Sequence, residues 1–168
     1  RDIGIAAKSS YNGGALYTYG TLTVIDSNFT GNRAPNGGAI AGMNYMSRAS
    51  VSLKNCEFRN NTASGSGGAV LFPGAQFVVE DSRFYDNVAG GSGGALSISA
   101  AVSNITNCEF RSNRAHNAQN NSKGGALNFA STDGSLVGCV FEDCSSDNGG
   151  TVYWANDDGV MSGCSFVN

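Results

Sequence analysis

The stretch Gly93-Gly94-Ala95-Leu96, followed by Cys108-Glu109-Phe110-Arg111-Ser112-Asn113, decides the fold of this chain. The same pair of motifs, Gly-Gly-Ala-aliphatic and then Phe-x-x-Asn, recurs along the sequence. Gly-Gly-Ala occurs at residues 13–15, 37–39, 67–69, 93–95 and 124–126, and a Gly-Gly-Thr variant occurs at 149–151. The phenylalanines are Phe29, Phe58, Phe84, Phe110, Phe141 and Phe166. Self-similarity at a period of roughly 25 to 31 residues is typical of a solenoid, in which each copy forms one coil.

Alignment of the copies on their phenylalanines reveals three further columns of similar residues. Five residues before each Phe the side chain is always apolar: Val24, Leu53, Val79, Ile105, Leu136 and Met161. Three residues before it stand residues that tolerate a positive φ or cap a turn: Asp26, Asn55, Asp81, Asn107, Gly138 and Gly163. Two residues before it the side chains are small: Ser27, Cys56, Ser82, Cys108, Cys139 and Cys164. Each copy is therefore predicted to form a short strand and a sharp bend, followed by a small inward residue and an inward Phe.

A unit this short cannot bury its own apolar face, whereas stacked copies form continuous apolar columns. No window has a helical period, and 24 glycines are too many for long helices. Strands that repeat in the same direction pair in parallel, and the usual chirality of parallel connections favours a right-handed coil. The sequence thus predicts an all-β fold, a right-handed single-stranded parallel β-helix (solenoid) of about six coils. Residues 1–168 are expected to form a single domain.

A polar column is predicted three residues after each phenylalanine. It contains Asn32, Asn61, Asn87 and Asn113, and Cys144 replaces Asn in the fifth copy. Stacked asparagines can hydrogen-bond one another through their side-chain amides, which satisfies polar groups that the bend would otherwise bury. We therefore expect an amide ladder along the solenoid.

Composition excludes several classes of function. The formal net charge is −3 and 14% of residues are charged, so no basic stripe is present to neutralise nucleic-acid phosphates. No apolar run approaches the length of a membrane span. The sequence begins in the middle of the repeat pattern and stops two residues after Phe166. We therefore expect the chain to be a segment of a longer repeat protein.

The alternating motifs resemble the repeat of the chlamydial polymorphic outer membrane proteins. The Gly-Gly-Ala-aliphatic copies that carry the resemblance are residues 37–40, 67–70, 93–96 and 124–127, together with the Phe-x-x-Asn copies. Residues 149–151 and Cys144 depart from the pattern in the last coils. The resemblance implies a secreted, non-catalytic adhesin at the cell surface. The expected partner is a cell-surface protein or glycan receptor, or neighbouring copies of the same solenoid.

Two insertions interrupt the regular coils, and excursions from a regular scaffold are where binding residues concentrate. The first insertion supplies Met43, Tyr45, Met46 and Arg48 as candidate contact residues. The second, residues 114–123, supplies His116, Gln119 and Asn120. The alternative is that both insertions are merely tolerated loops, and that the one histidine of the chain is simply solvated.

The five cysteines allow two interpretations. Cys108, Cys139 and Cys164 share a column, so they form either a stack of small buried thiols or part of a cross-link. The cross-link would be one disulfide among Cys139, Cys144 and Cys164, since stacked coils bring Cα atoms within bonding range. No histidine lies near these positions in sequence, so no metal site is predicted.

Catalytic chemistry is not expected, and neither is a cofactor. A polysaccharide-active β-helix needs clustered carboxylates on one outer face. The outward column after Gly-Gly-Ala supplies no acid or base: Tyr17, Ala41, Leu71, Ser97, Asn128 and Tyr153. Asp26 and Asp81 are better explained as bend residues. The enzyme therefore stays a rival hypothesis, as does an architectural subunit of an extracellular filament or cell coat.

Four Asn-x-Ser/Thr sequons begin at Asn28, Asn60, Asn104 and Asn120. They are candidate glycosylation sites if the chain is secreted by a eukaryote. Asn120 lies in the longer insertion and is expected to be the most accessible of the four.

Overall fold

The computed structural model describes residues 2–3, 11–43, 49–130, 133–155 and 158–168. Within those residues the chain forms 22 β-strands and no helix. The first half contains β1 (Asp2–Ile3), β2 (Leu16–Thr18), β3 (Leu22–Ile25), β4 (Asn28–Thr30), β5 (Arg33–Ala34), β6 (Ile40–Gly42), β7 (Ser50–Lys54), β8 (Glu57–Arg59), β9 (Thr62–Ala63), β10 (Val70–Glu80) and β11 (Arg83–Tyr85). The second half contains β12 (Val88–Ala89), β13 (Leu96–Thr106), β14 (Glu109–Arg111), β15 (Arg114–Ala115), β16 (Leu127–Ala130), β17 (Asp133–Val137), β18 (Val140–Glu142), β19 (Ser145–Ser146), β20 (Val152–Ala155), β21 (Gly159–Ser162) and β22 (Ser165–Val167).

Each coil contributes to three parallel sheets that run along the solenoid. The Phe sheet has the order β1-β4-β8-β11-β14-β18-β22. The long sheet stacks β2-β6-β10-β13-β16-β20, extended by β3, β7, β17 and β21. The short sheet has the order β19-β15-β12-β9-β5. Leu96 pairs in register with Leu127, and Leu127 pairs with Val152, so equivalent residues of successive coils lie one above another. The predicted all-β parallel solenoid of about six coils is confirmed.

The phenylalanine column forms the centre of the core. Successive rings from Phe29 to Phe166 have centroids 4.8–5.0 Å apart and planes within 3–11° of parallel. All six are buried except Phe166, which is half exposed. Stacked aromatic pairs contribute about 0.5–1.5 kcal/mol each beyond the burial of their surface. The in-register ring ladder therefore fixes how each coil sits on the next.

Left-handed residues make the corners between sheets. All six predicted bend positions three residues before Phe have φ between 50° and 63°, which confirms them as bend residues. A second left-handed corner lies two residues after Phe, at Gly31, Asn60, Asp86, Ser112 and Asp143. The first glycine of each Gly-Gly-Ala motif, and Gly149 of the Gly-Gly-Thr variant, forms a third. Three corners per coil close the chain around the core.

The asparagine column forms the predicted amide ladder. Asn32 Nδ2 donates to Asn61 Oδ1 at 2.8 Å, and the same bond joins Asn61 to Asn87 and Asn87 to Asn113 at 3.0 Å. The ladder ends where Asn113 Nδ2 lies 3.7 Å from Cys144 Sγ. Each of the four asparagines is fully buried. The amides are therefore structural groups of the corner.

The cysteines fill two different columns. Cys108, Cys139 and Cys164 stand before the Phe strands, and the Sγ of Cys139 donates to the Ile105 carbonyl at 3.6 Å. Cys144 occupies the asparagine column at the other end of β18, where its Sγ donates to the Phe110 carbonyl at 3.5 Å. All five cysteines are present as free thiols. Cys108 and Cys139 lie buried in one column with the half-buried Cys164, and Cys144 does not share that column. A disulfide among Cys139, Cys144 and Cys164 stays a prediction.

Three residues predicted to point outward from the long sheet are nevertheless buried. Ala41, Ser97 and Asn128 stand on the side of the strand opposite the core, yet each is at most 8% exposed. The left-handed glycine of the same coil folds back against them. A Cβ built at Gly37 would lie 3.0 Å from the Ala41 Cβ, and one at Gly93 would lie 2.8 Å from the Ser97 nitrogen. The outer column of the long sheet is therefore partly covered by its own corner.

Candidate functional site

The second insertion forms a loop that a single carboxylate holds against the solenoid. His116 Nδ1 donates to Asp147 Oδ1, and the Asn117 backbone N–H donates to Asp147 Oδ2 at 2.9 Å. Ser122 Oγ lies 2.7 Å from the same Oδ2. Asp147 thus contacts both ends of the loop at once, and its side chain is 9% exposed. We call residues 116–122 the anchored loop.

The anchored loop is also closed by bonds within itself. Asn117 Oδ1 accepts from the Gln119 backbone N–H at 3.1 Å, and Asn117 Nδ2 donates to Asn121 Oδ1 at 2.9 Å. Asn120 adopts a left-handed φ of 52°, and its N–H donates to the Asn117 carbonyl at 3.1 Å. These bonds turn the insertion into a compact tip whose outermost residues are uncharged.

The predicted contact residues of this insertion are accessible. His116, Gln119 and Asn120 are exposed, and Met43 of the first insertion is 44% exposed. The other predicted contacts of the first insertion, Tyr45, Met46 and Arg48, lie outside the described residues. The structure therefore shows the second insertion as an exposed loop. The residues that hold it in place were not predicted from the repeat pattern.

Those missed residues are Asp147, Ser122 and Asn117. A signal for Asp147 was available, because Arg114 pairs with Ser145 and Ala115 with Ser146. Continuing that register by one residue places His116 beside Asp147. This proximity was missed because the anchored loop begins at His116, where the copies of the repeat no longer align.

The histidine, serine and aspartate of this site are not arranged for nucleophilic catalysis. In a catalytic triad the histidine lies between the acid and the hydroxyl. Here Asp147 lies between His116 and Ser122. Ser122 is buried, and its Oγ is also 2.6 Å from the Ala115 carbonyl. The arrangement holds a loop in place and gives Ser122 no base to activate it.

The anchor has a defined pH dependence. The hydrogen bond from the Asn117 backbone lowers the pKa of Asp147 below its usual value, and the bond from Ser122 adds to this. A carboxyl whose folded pKa is lowered stabilises the fold above its unfolded pKa of about 3.9 and loses that contribution as pH falls further. We expect the protection of the Asn117 amide, its exchange rate relative to an unstructured amide at the same pH, to stay high at pH 4.5 and to fall only in stronger acid.

The variant Asp147→Asn provides the control for that exchange measurement. It keeps the size of the side chain but removes the charge and one acceptor oxygen. The Asn117 amide should then be weakly protected at every pH, while the amides of the buried strand β14 stay strongly protected. Equal protection in the variant and the parent chain would contradict the anchoring role of Asp147.

A second candidate surface is the outer side of the Phe sheet, which we call the charged face. The residues that flank each Phe point outward there and include Glu57, Arg59, Arg83, Tyr85, Glu109, Arg111 and Glu142. Arg111 pairs with Glu109 and, at 3.2 Å, with Glu142, while Arg59 pairs with Glu57 at 3.1 Å. Opposite charges are thus paired within a strand and, through Arg111 and Glu142, between neighbouring coils.

Tyr85 lies at the centre of the charged face. Its hydroxyl donates to Glu109, and the Arg59 guanidinium lies 4.9 Å from the centre of its ring. Partial burial, with a further contribution from the bond to Glu109, raises the pKa of Tyr85 to about 12. The phenol is therefore protonated at physiological pH and acts as a hydrogen-bond donor.

Three open grooves lie along the charged face. One, of about 310 Å³, is lined by residues including Asp26, Asn55, Glu57 and Arg83. A second, of about 330 Å³, begins at Arg83 and continues past Glu109 to Gly138. The third, of about 360 Å³, lies on the other side of the column, around Tyr85. The insertions, the bend residues and the outer column of the long sheet were weighed from the sequence as candidate sites, and Glu57, Arg83 and Glu109 of this face were not among them.

The four sequon asparagines differ in their surroundings. Asn60 and Asn120 are exposed, whereas Asn28 and Asn104 are half-buried. Asn104 Oδ1 accepts from the Ser135 hydroxyl at 2.9 Å. Glycosylation at these positions stays a prediction.

Neither a metal site nor a membrane-spanning helix is present among the described residues. In that part of the chain, no group of three or more His, Cys, Asp and Glu side chains could hold a metal ion. Over the same residues there is no helix of the length and apolarity required to cross a membrane.

Comparison with protein families identifies the repeat. The profile of the Chlamydia polymorphic membrane protein repeat matches residues 26–42 and 55–73. These two segments match that repeat. Each matched segment of the polymorphic membrane protein repeat begins at a left-handed corner, Asp26 or Asn55, and runs through a Phe and an Asn of the ladder to a Gly-Gly-Ala strand. The resemblance drawn from the motifs is thereby confirmed on these segments. Comparisons with curated proteins and with solved structures gave no match.

Proposed function

We propose that this chain is a non-enzymatic, adhesin-like surface module that presents the anchored loop to a partner on another cell. The match to a membrane protein repeat supports a cell-surface setting. The parallel solenoid supports a scaffold role, because its coils are fixed by stacked rings and amides and its excursions are free to differ.

The observation that carries the proposal is the anchoring of the loop by Asp147. A loop that is already ordered loses little conformational entropy when a partner binds it. Asp147 fixes both ends of the excursion through His116, Asn117 and Ser122. Binding of a partner therefore does not have to offset a large entropic cost of ordering the loop.

The chemistry of the tip indicates the kind of contact. Ala118, Gln119 and Asn120 are exposed and carry no charge. They offer amide donors and acceptors and a small apolar surface, which suits hydrogen bonding to a protein backbone or to sugar hydroxyls. Extracellular binding through neutral groups is also little affected by salt, since screening acts on charges.

An adhesion assay with a single charge change tests the proposal. Beads coated with the chain are expected to adhere to cultured epithelial cells more than uncoated beads do. Gln119→Glu should reduce adhesion several-fold, because it places an uncompensated carboxylate in a neutral contact. The matched control is Gln76→Glu on the long sheet, where the glutamine is also exposed. That variant should adhere as the parent does.

Two results would count against the proposal. Beads that fail to adhere to any cell line while associating with one another would favour an architectural role. An equal loss of adhesion in the Gln119 and Gln76 variants would show that the anchored loop is not the contact site.

A further inference from the structure

Two of the grooves on the charged face adjoin each other at Arg83. Arg83 lines both, with the groove around Asn55 on one side of it and the groove around Asn107 on the other. The first reaches Asp26 and the second reaches Gly138, so together they cross five coils. Four steps of about 4.8 Å give this axial groove a length of about 19 Å.

The walls of the axial groove repeat once per coil. One wall is the left-handed corner column, where Asn55 Nδ2 donates to Asp26 Oδ1 at 2.7 Å and Asn107 Nδ2 donates to Asp81 Oδ1 at 3.3 Å. Each of these bonds uses one carboxylate oxygen and leaves Oδ2 as an acceptor. The opposite wall is the outward column of Glu57, Arg83 and Glu109.

Both walls are ordered before any ligand arrives. Glu57 is held by Arg59, and Glu109 is held by Arg111 and by the Tyr85 hydroxyl. Arg83 is the exception, since its side chain is 58% exposed and its Nε lies 3.9 Å from Glu109 Oε2. Fixed acceptors and one extended donor can meet a ligand with little loss of side-chain entropy.

The charges of the axial groove select against charged polymers. The carboxylates of Asp26, Asp81, Glu57 and Glu109 would repel a nucleic acid or a sulfated glycan. A polycation would have to compete with the arginines that already pair with two of those carboxylates. A neutral ligand rich in hydroxyl groups meets neither obstacle, because hydroxyls donate to carboxylates and accept from Arg83.

The repeat distance distinguishes the remaining neutral polymers. An extended peptide advances about 3.3 Å per residue and so drifts out of register with coils about 4.8 Å apart. The length of one pyranose ring in an extended linkage is close to the coil spacing of about 4.8 Å. We propose that the axial groove binds a neutral, linear oligosaccharide along the solenoid axis, with successive rings on successive coils.

Isothermal titration with defined oligosaccharides tests this inference. The probes are the neutral hexasaccharides cellohexaose, mannohexaose and chitohexaose, compared with a heparin hexasaccharide and with hexalysine. At least one neutral hexasaccharide is expected to bind, more tightly than its own disaccharide and more tightly than either charged probe. Arg83→Ala should weaken that binding at least about tenfold, because it removes the donor shared by both halves of the groove.

Matched variants separate this site from the anchored loop. Lys54→Ala removes another exposed cation, paired with Glu80 at 3.0 Å on the long sheet, and should leave oligosaccharide binding unchanged. Gln119→Glu should also leave it unchanged, so a failure of cell adhesion and a failure of glycan binding can be told apart. The inference is overturned if no neutral hexasaccharide binds, if heparin or hexalysine binds more tightly, or if Arg83→Ala binds as the parent does.

Discussion

Replacing Gly94 with alanine is expected to lower the free energy of unfolding by about 3 kcal/mol or more. A Cβ at this position would lie 1.9 Å from the Gly125 carbonyl oxygen and 2.6 Å from the Arg114 nitrogen. Both are backbone atoms of the coil, which cannot move aside as a flexible side chain can. Urea denaturation followed by circular dichroism measures the effect as a lower midpoint at similar slope.

The second glycine of other copies is also in close contact with the backbone of the next coil. A Cβ at Gly68 would meet the Gly94 carbonyl oxygen at 1.9 Å, and one at Gly38 would meet that of Gly68 at 2.1 Å. The second glycine is thus required because neighbouring coils come too close for any side chain. The first glycine of the pair is required by its left-handed φ, which is 71° at Gly93.

Gly20→Ala is the control for this prediction. A Cβ at Gly20 has no atom within 4 Å, and its φ lies outside the left-handed range. The only expected effect of Gly20→Ala is then a lower conformational entropy of the unfolded chain. The free energy of unfolding should therefore stay within about 0.5 kcal/mol of the parent or rise slightly. Similar destabilisation by the alanines at 20 and 94 would show that close coil packing is not the cause.

Features that repeat with the same residue types were predictable from the sequence. The phenylalanines and the aliphatic residue five before them form columns without exception, and the bend residues Asp26, Asn55, Asp81 and Asn107 all favour a left-handed φ. The asparagine ladder follows because a buried amide must find partners and identical amides one coil apart supply them. Because the coils stack in register, equivalent side chains of successive coils in each column contact one another.

Features whose residue types vary from coil to coil could not be recognised as columns. The second left-handed corner contains Gly31, Asn60, Asp86, Ser112 and Asp143, which share a backbone conformation but little chemistry. The charged face varies for a different reason. One of its columns alternates between acid and base, as Glu57, Arg83 and Glu109, so no single residue type repeats there.

The anchored loop could be predicted from the sequence only in part. Its insertion was visible as a break in the period, and its exposed residues were predicted as contacts. Its anchor was not, because Asp147 belongs to the following coil and 31 residues separate it from His116. Only the register of β15 with β19 brings the two together.

Asn113→Ala is expected to cost about 3 to 5 kcal/mol of stability. Asn113 is fully buried, and its Oδ1 accepts from the Asn87 backbone N–H at 3.1 Å and from Asn87 Nδ2 at 3.0 Å. Alanine removes that oxygen and leaves two buried donors of Asn87 without it. It also removes the 2.8 Å bond from Asn113 Nδ2 to the Phe84 carbonyl and opens a small cavity. Urea denaturation gives the loss directly.

A cysteine at the same position separates the hydrogen-bond term from the loss of volume. The next coil already places Cys144 in this column, where its Sγ accepts from Asn113 Nδ2 and donates to the Phe110 carbonyl. In Asn113→Cys the sulfur can take up the same two roles toward Asn87 and Phe84, with weaker bonds. Its stability should therefore lie between those of the parent and the alanine variant. If cysteine and alanine destabilise equally, the amide ladder contributes by filling space and not by its hydrogen bonds.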